Sequence, residues 1–152
     1  AMVALILVLS AIGCSPGSSE AELAYNDGMA YGELGEYVTA ISNFTKVIQL
    51  GPDYAIAYHW RGAAYYEQGQ YQTAITDFDK AIQLDPDYAD AYNHRGDAYR
   101  RLGQNQNAIA DYTMAIELES DEDAIARYYH QLSSTCNALD RGRTPGVGVE
   151  PC

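Results

Sequence analysis

The sequence is poor in positive charge and in the motifs that most enzymes need. It has 9 lysines and arginines against 21 aspartates and glutamates, which gives a formal charge of −12 at pH 7. This excess of acid disfavours binding to nucleic acids and to anionic membrane surfaces, because both are polyanions. It favours basic partners or bound cations, and the simpler interpretation is that the acidic surface serves solubility.

Catalytic and metal-binding motifs are also missing. The three histidines, His59, His94 and His130, are at least 35 positions apart in the sequence. The chain has no His-x-x-x-His pair, no Cys-x-x-Cys motif and no glycine-rich phosphate loop. No serine, cysteine or threonine is accompanied by a histidine or a carboxylate in a spacing typical of a known catalytic motif. We therefore predict that the protein is not an enzyme and has no cofactor and no metal site.

Long apolar runs are absent except at residues 1–12, which fall short of the roughly 20 residues that a membrane-spanning helix needs. A secretory signal would fit this length, although a basic first region is lacking. Because a free apolar arm would expose a large patch, we expect it to pack on neighbouring subunits; an uncleaved signal remnant is the alternative. The apolar side chains of this assembly arm are Val3, Leu5, Ile6, Leu7, Leu9 and Ile12.

Cysteine is scarce, and all three cysteines lie near the ends of the chain, at Cys14, Cys136 and Cys152. In a cytosolic protein they would be incidental thiols. In an exported protein the odd number predicts one disulfide and one lipidated, free or intermolecular thiol. A Cys136–Cys152 bond would tie the C-terminal tail to the last helix and leave Cys14 for a lipid or a neighbour. The sequence does not fix this connectivity.

A period of 34 residues organises the rest of the chain, and such a period indicates stacked repeats. In the central copy Tyr58, Gly62 and Tyr65 form one apolar stripe at helical spacing, and a second stripe follows from Ala74. Left-handed backbone at Gly69 is predicted to end the first helix of the copy, and a later proline ends the second. Positions that recur every 34 residues include Gly28, Gly62 and Gly96; Tyr31, Tyr65 and Tyr99; and Gly35, Gly69 and Gly103.

These residues resemble the pattern of the tetratricopeptide repeat (TPR) family. The central copy carries Tyr58, Arg61-Gly62, Tyr65, Gly69, Ala74, Phe78, Ala81 and Pro86. Arginine or aspartate replaces the leucine that usually precedes the first glycine, and we expect this departure to affect edge packing more than the fold. Ala11-Ile12-Gly13-Cys14 with its Ser/Pro/Gly linker resembles the end of a bacterial lipoprotein signal, which would place a lipid on Cys14.

The resemblance implies an all-α protein, a right-handed α-solenoid of three TPR helix pairs with a C-terminal capping helix. We predict an N-terminal arm and linker at 1–19 and the repeats within 20–119, in phase at 21–54, 55–88 and 89–122. The capping helix is expected at 120–138, with Ser120 as its N-cap and acids in its first turn. An extended Gly/Pro-rich tail is expected at 139–152.

In TPR proteins the first helix of each repeat lines a concave groove, and the groove is where a partner peptide binds. The branch of the family that clamps a C-terminal carboxylate uses Lys and Asn at two inner positions. This chain has Tyr25/Met29, His59/Ala63 and Asn93/Asp97 there, so the clamp is missing. We expect the groove to hold an apolar or basic extended segment; a merely solvated inner wall is the alternative. The predicted contacts are Tyr25, Met29, Ile56, His59, Tyr66, Asn93 and Arg100.

Asn43-Phe-Thr45 fits the N-glycosylation sequon, but it lies within a predicted helix, and a chance occurrence is the better interpretation unless the protein is extracellular.

The functional hypothesis is a non-catalytic TPR scaffold for protein–protein interaction outside the cytoplasm, secreted or on the cell surface. We expect it to self-assemble into an oligomer or filament through its apolar arm. The alternatives are a lipid-anchored envelope lipoprotein and an adaptor that binds a partner peptide in its groove. Contact with a membrane is expected only if Cys14 is lipidated.

Overall fold

The computed structural model describes residues 16–141, with side chains described for residues 20–139. Within this range the chain forms seven α-helices and no strand. The five helices between the first and the last have 13 or 14 residues, close to the average length in globular proteins. The helices are α1 (Pro16–Glu33), α2 (Tyr37–Leu50), α3 (Ala55–Glu67), α4 (Tyr71–Leu84), α5 (Ala89–Arg101), α6 (Asn105–Leu118) and α7 (Glu122–Arg141).

Each helix packs mainly on the helices next to it in sequence, as in a helical-repeat solenoid. The pairs α1/α2, α3/α4 and α5/α6 are the three repeats, and α7 packs on α6. The first helices of consecutive repeats also touch, α1 with α3 and α3 with α5. Because first helices approach each other across repeats, they lie on the inner side of the array. The predicted all-α solenoid with a seventh helix is confirmed.

A glycine facing an aromatic ring sets the distance between the two helices of every repeat. A Cβ atom added to any of these glycines would lie 2.8–2.9 Å from the ring that stands sixteen residues later. The three rings are almost fully buried. Only glycine therefore allows the ring to fill the space between the helices. The pairs are Gly28 with Phe44, Gly62 with Phe78 and Gly96 with Tyr112.

Left-handed glycines end the first helix of each repeat. Gly35, Gly69 and Gly103 have φ values of 77°, 75° and 73°. After each one the next amide donates back to a carbonyl five residues earlier, as Gln70 N does to Tyr65 O at 2.9 Å. This hydrogen bond closes the helix end, and the prediction for Gly69 is confirmed.

In the second and third repeats an arginine directly precedes the glycine that faces the ring, and it joins the two helices of its repeat. Arg61 donates from Nε and Nη2 to both carboxylate oxygens of Asp77, each at 2.7 Å. Arg95 bonds Asp111 in the same way at 2.8 and 2.7 Å. Two short parallel bonds are the geometry of an ionised pair. The fold is the expected one despite this departure from the family pattern, and because the aspartates are buried, the arginines also contribute to packing inside each repeat.

The same arginines also reach back to the preceding repeat. Arg61 Nη1 donates to Thr45 Oγ1 at 3.2 Å, and Arg95 Nη1 donates to Asp79 Oδ1 at 2.6 Å. Burial lowers the pKa of Arg95, but its bonds to the two aspartates outweigh this and leave that pKa raised. For the carboxyl group of Asp111 burial has the opposite effect and raises the pKa, and the bond to Arg95 only partly offsets this rise. Each arginine thus links three helices from two repeats.

Three predicted boundaries differ from the structure. Helix α1 begins at Pro16, inside the segment predicted as a linker, because proline fits the first position of a helix. Asp121 rather than Ser120 caps α7, since its Oδ1 accepts the amide hydrogen of Ala124 at 2.8 Å. The helix also extends to Arg141, past the predicted end at 138. The first residue that disfavours helix there is Gly142.

The assembly arm, Cys14 and Cys152 lie outside the described residues. Their predicted roles in self-assembly, lipidation and disulfide bonding therefore stay predictions, as does the extracytoplasmic location. Cys136 is on α7 and is buried. Between residues 16 and 141 no helix combines the length and the apolar character that crossing a membrane requires.

The sequon at Asn43 is folded into α2. Asn43 is half-buried, and its Nδ2 donates to the carbonyl of Thr39 at 3.0 Å. Phe44 packs in the core, and Thr45 accepts a hydrogen bond from Arg61. Because all three residues are engaged in the fold, the structure disfavours a glycan at this site.

Substitution of Gly62 by alanine should destabilise the protein by about 1–3 kcal/mol, because the new methyl group would press on Phe78 and on the Ala74 carbonyl. Gly32 is the matched control, since a Cβ there meets nothing within 4 Å. Gly32→Ala should stabilise the protein by up to about 1 kcal/mol. Urea unfolding followed by circular dichroism measures both, and equal effects would contradict the close-approach explanation.

Arg95→Met should cost about 3 kcal/mol, because it leaves the buried Asp111 carboxylate without its partner. The double variant Arg95→Met/Asp111→Leu should recover most of that loss, since it removes both charges. Lys46→Met breaks the exposed Lys46–Glu20 pair and should change stability by less than about 1 kcal/mol. The same unfolding measurement applies, and a loss for Arg95→Met no larger than for Lys46→Met would refute the proposed role of the pair.

Candidate functional site

Three depressions lie along the inner face formed by the first helices. The one between α1, α2 and α3, here called the apolar cavity, has a volume of about 370 Å³. Met29, Trp60 and Ala63 are among its apolar walls, and Glu33 and Glu67 stand exposed at its border. Its complete lining is Gly28, Met29, Gly32, Glu33, Tyr37, Phe44, Trp60, Ala63, Ala64, Glu67 and His94.

A second depression, here called the polar cavity, lies between α3, α5 and α7 and has a volume of about 250 Å³. Trp60 and His94 line both this cavity and the apolar cavity, so the two adjoin. Its complete lining is His59, Trp60, Asp90, Asn93, His94, Asp97, Arg127, Tyr128 and Gln131.

The third depression, here called the N-terminal cavity, has a volume of about 350 Å³ and lies between α1, α2 and α3. Tyr25, Tyr54 and Ile56 give it an apolar surface, and Tyr54 and Ile56 are exposed. Its remaining lining residues are Ala21, Glu22 and Val47.

The charge of these three cavities is predominantly negative. Five of their lining residues are acidic, and one, Arg127, is basic. Two nearby arginines are already engaged: Arg100 Nη2 lies 3.3 Å from Asp97 Oδ1, and Arg101 Nε donates to Tyr66 Oη at 3.0 Å. A cationic ligand would therefore meet a favourable field along this face, and an anionic one would be repelled.

The repeats match sequence profiles of a known family. A profile described as TPR repeat matches residues 28–69 and 62–103, and one described as tetratricopeptide repeat matches residues 89–122. The chain belongs to the tetratricopeptide repeat family. The family predicted from the sequence is thus confirmed. No curated protein gives a significant match.

Solved TPR domains have the same fold. The first TPR domain of Spaghetti (RPAP3), bound to the HSP90 peptide SRMEEVD, is 28% identical with a TM-score of 0.74, over 81% of this chain and 95% of that chain. The Sgt2 TPR domain from Aspergillus fumigatus is 26% identical with a TM-score of 0.75, over 91% of each chain. The TPR2B domain of yeast Sti1 in complex with pHsp70 is 25% identical with a TM-score of 0.70, over 76% of this chain and 98% of that one.

The predicted groove contacts of this TPR protein divide into three groups. Tyr25, Met29 and Ile56 line cavities on the inner face as expected. Tyr66 and Arg100 line none of the three cavities. The Tyr66 ring lies 5.3 Å from the Tyr71 ring at an angle of 59°, and its hydroxyl accepts a hydrogen bond from Arg101. Arg100 pairs with Asp97 and Tyr112.

His59 and Asn93 are buried, with 1% and 6% of their surface exposed. The ring of His59, a predicted groove contact, is therefore held in the packing between repeats, although His59 also belongs to the lining of the polar cavity. It contacts Trp60 edge-on at 5.0 Å between ring centroids and lies 4.9 Å from His94. Asn93 belongs to the wall of the polar cavity.

His59 joins Tyr88 and His94 in a hydrogen-bonded chain. Its Nδ1 lies 2.9 Å from Tyr88 Oη, and its Nε2 lies 2.7 Å from His94 Nδ1. With Tyr88 donating to Nδ1 of His59 and His59 donating from Nε2 to His94, both imidazoles are neutral and carry their proton on Nε2. Burial, together with the neighbouring His94, lowers the pKa of His59 to about 3. Burial also lowers the pKa of His94, although Asp97, Asp90 and Glu67 oppose the change.

Among the lining residues that were not predicted as groove contacts, five have a signal in the 34-residue period. Trp60, His94 and Tyr128 occupy one equivalent position in α3, α5 and α7. Arg127 and Gln131 are equivalent to Asn93 and Asp97. Continuing the period into the capping helix would therefore have identified α7 as a fourth wall of the groove.

Stability should fall as the pH decreases from about 6.5 towards 3. In this window the unfolded chain protonates His59 whereas the folded chain keeps it neutral, at a cost of up to about 1.4 kcal/mol per pH unit. Urea unfolding at pH 7, 6, 5 and 4 should show a shallower pH dependence for His59→Gln. His130→Gln, at an exposed position, should behave as the unsubstituted protein. Parallel curves for His59→Gln and the unsubstituted protein would argue against this origin.

Proposed function

We propose that this protein is a non-catalytic scaffold whose inner groove binds an extended segment of another polypeptide, with an apolar side chain in the apolar cavity and basic residues beside it. The observation that carries the proposal is this cavity itself, which has apolar walls at Met29, Trp60 and Ala63 and carboxylates at Glu33 and Glu67. Apolar anchors set in pockets contribute most of the affinity in such interfaces. The surrounding acids select against acidic partners.

Related TPR domains support a peptide as the ligand, since Spaghetti and Sti1 domains are solved with HSP90 and Hsp70 partners. The ligand proposed here has the opposite charge. SRMEEVD carries acidic residues and ends on a carboxylate, whereas the inner positions here carry Met29, Ala63 and Asp97. An aspartate at such a position repels a carboxylate. We therefore propose a basic and apolar segment rather than an acidic C-terminus.

Trp60 provides the measurement, because it is the only tryptophan in the chain and lines two of the cavities. Excitation at the red edge of the absorption band selects it over the 14 tyrosines. Acetylated and amidated hexapeptides with one leucine and one arginine among alanines should shift its emission in a saturable way. SRMEEVD should bind at least tenfold more weakly. Equal or tighter binding of SRMEEVD would overturn the proposed charge preference.

Gly32 allows the apolar cavity to be filled without disturbing the fold, since an added Cβ meets nothing within 4 Å. Gly32→Leu should weaken the leucine–arginine peptides about tenfold or more, because the anchor loses the apolar surface that it would bury. Gly32→Ala is the matched control and should keep most of the affinity. Peptide binding that is unaffected by Gly32→Leu would place the ligand elsewhere.

A further inference from the structure

Two buried hydrogen-bond acceptors of the polar cavity have no partner. They are Oδ1 of Asn93 on α5 and Oε1 of Gln131 on α7. Both residues line the cavity, and Asn93 is only 6% exposed. A buried acceptor without a donor costs about 1–3 kcal/mol. Two such acceptors in one cavity therefore indicate that a donor-rich group belongs there.

The other groups around these acceptors suit a cation. Asp90 and Asp97 supply carboxylates to the cavity wall. Asp90 already accepts a hydrogen bond from Tyr128 Oη at 2.6 Å. Asp97 already accepts from Gln131 Nε2 at 3.1 Å, from Tyr112 Oη at 2.8 Å and from Arg100 Nη2 at 3.3 Å. These bonds hold the acceptors in place. Trp60 adds an aromatic ring to the wall, which also favours a positive charge.

We propose that the polar cavity receives the guanidinium group of an arginine from the bound segment. Asn93 and Gln131 would accept its N–H groups. Asp90 would balance its charge, together with Asp97, which the ligand would share with Arg100. This inference rests on the proposed function, because the polar cavity adjoins the apolar cavity through Trp60 and His94. The inference adds the identity of one side chain of the ligand and of the residues that bind it.

Arginine fits this set of acceptors better than lysine does. Its planar group has five N–H donors, enough for acceptors that come from two different helices, whereas lysine has three on one atom. A metal ion is a poorer match, because the part of the chain described here has no group of three or more His, Cys, Asp or Glu arranged to hold one. Arg127 borders the cavity and opposes the ligand by repulsion.

Citrulline provides the decisive comparison, since it has nearly the shape of arginine without the charge. Two series of acetylated and amidated hexapeptides would each carry one leucine and either arginine or citrulline, one to four residues apart. Titration against the unsubstituted protein, followed by Trp60 emission, should give at least tenfold tighter binding for the best arginine peptide than for its citrulline partner. This comparison requires no substitution in the protein.

Two variants then locate the preference in the polar cavity. Asp90→Asn should lower the arginine-to-citrulline ratio towards one, because it removes a charge that balances the guanidinium group while it keeps an oxygen for the hydrogen bond from Tyr128. Arg127→Gln should raise the ratio, because it removes the repelling charge. The opposite directions separate recognition of the ligand from a general loss of structure.

The outcomes distinguish the inference from the proposed function. If both series bind equally, the groove binds a peptide through its apolar anchor, but the arginine site and the preference for a basic residue are refuted, and the two acceptors are sites for water. If neither series binds, the proposed function fails and the inference fails with it. An arginine preference that persists unchanged in Asp90→Asn would also refute the assigned site.

Discussion

The close approach of two helices at a glycine is the constraint on which this molecule depends. In each repeat an aromatic ring occupies the space that a Cβ would otherwise fill, and this contact fixes the separation of the pair. Because the contact recurs every 34 residues, successive first helices present equivalent positions to the same side. The inner wall therefore follows from packing within repeats, and its chemistry varies with the residues at those positions.

Charge reinforces this packing unevenly along the array. The second and third repeats each carry an arginine that donates hydrogen bonds to a buried aspartate of the same repeat and to a polar side chain of the preceding repeat. In the first repeat Asp27 and Asn43 stand at the equivalent positions, so the link is missing there. Removal of one partner from such a buried pair is costly, which explains why both members change together.

The fold was predictable because repeats, left-handed glycines and helix-ending residues are all local signals. The groove was predictable only in part. Met29 and Ile56 could be placed by their repeat positions, whereas the orientation of His59 depends on Tyr88 and His94, which packing alone brings to it. The Arg61–Asp77 pair joins residues sixteen apart on different helices, a relation that helical periodicity does not reveal. Asn93 was predicted as a groove contact, but the lack of a partner for its side-chain oxygen depends on how α5 and α7 pack and cannot be deduced from the sequence.

The missing arginine link in the first repeat has a consequence for motion. In an array whose helices contact mainly their sequence neighbours, segments can open one at a time, and the least tethered end opens at the lowest free energy. The apolar cavity is built partly on this end, whereas the polar cavity lies between α3, α5 and α7. Backbone amides of α1 and α2 should accordingly exchange with solvent faster than those of α5. The apolar cavity would then become ordered when a ligand fills it, whereas the polar cavity would be rigid before the ligand binds.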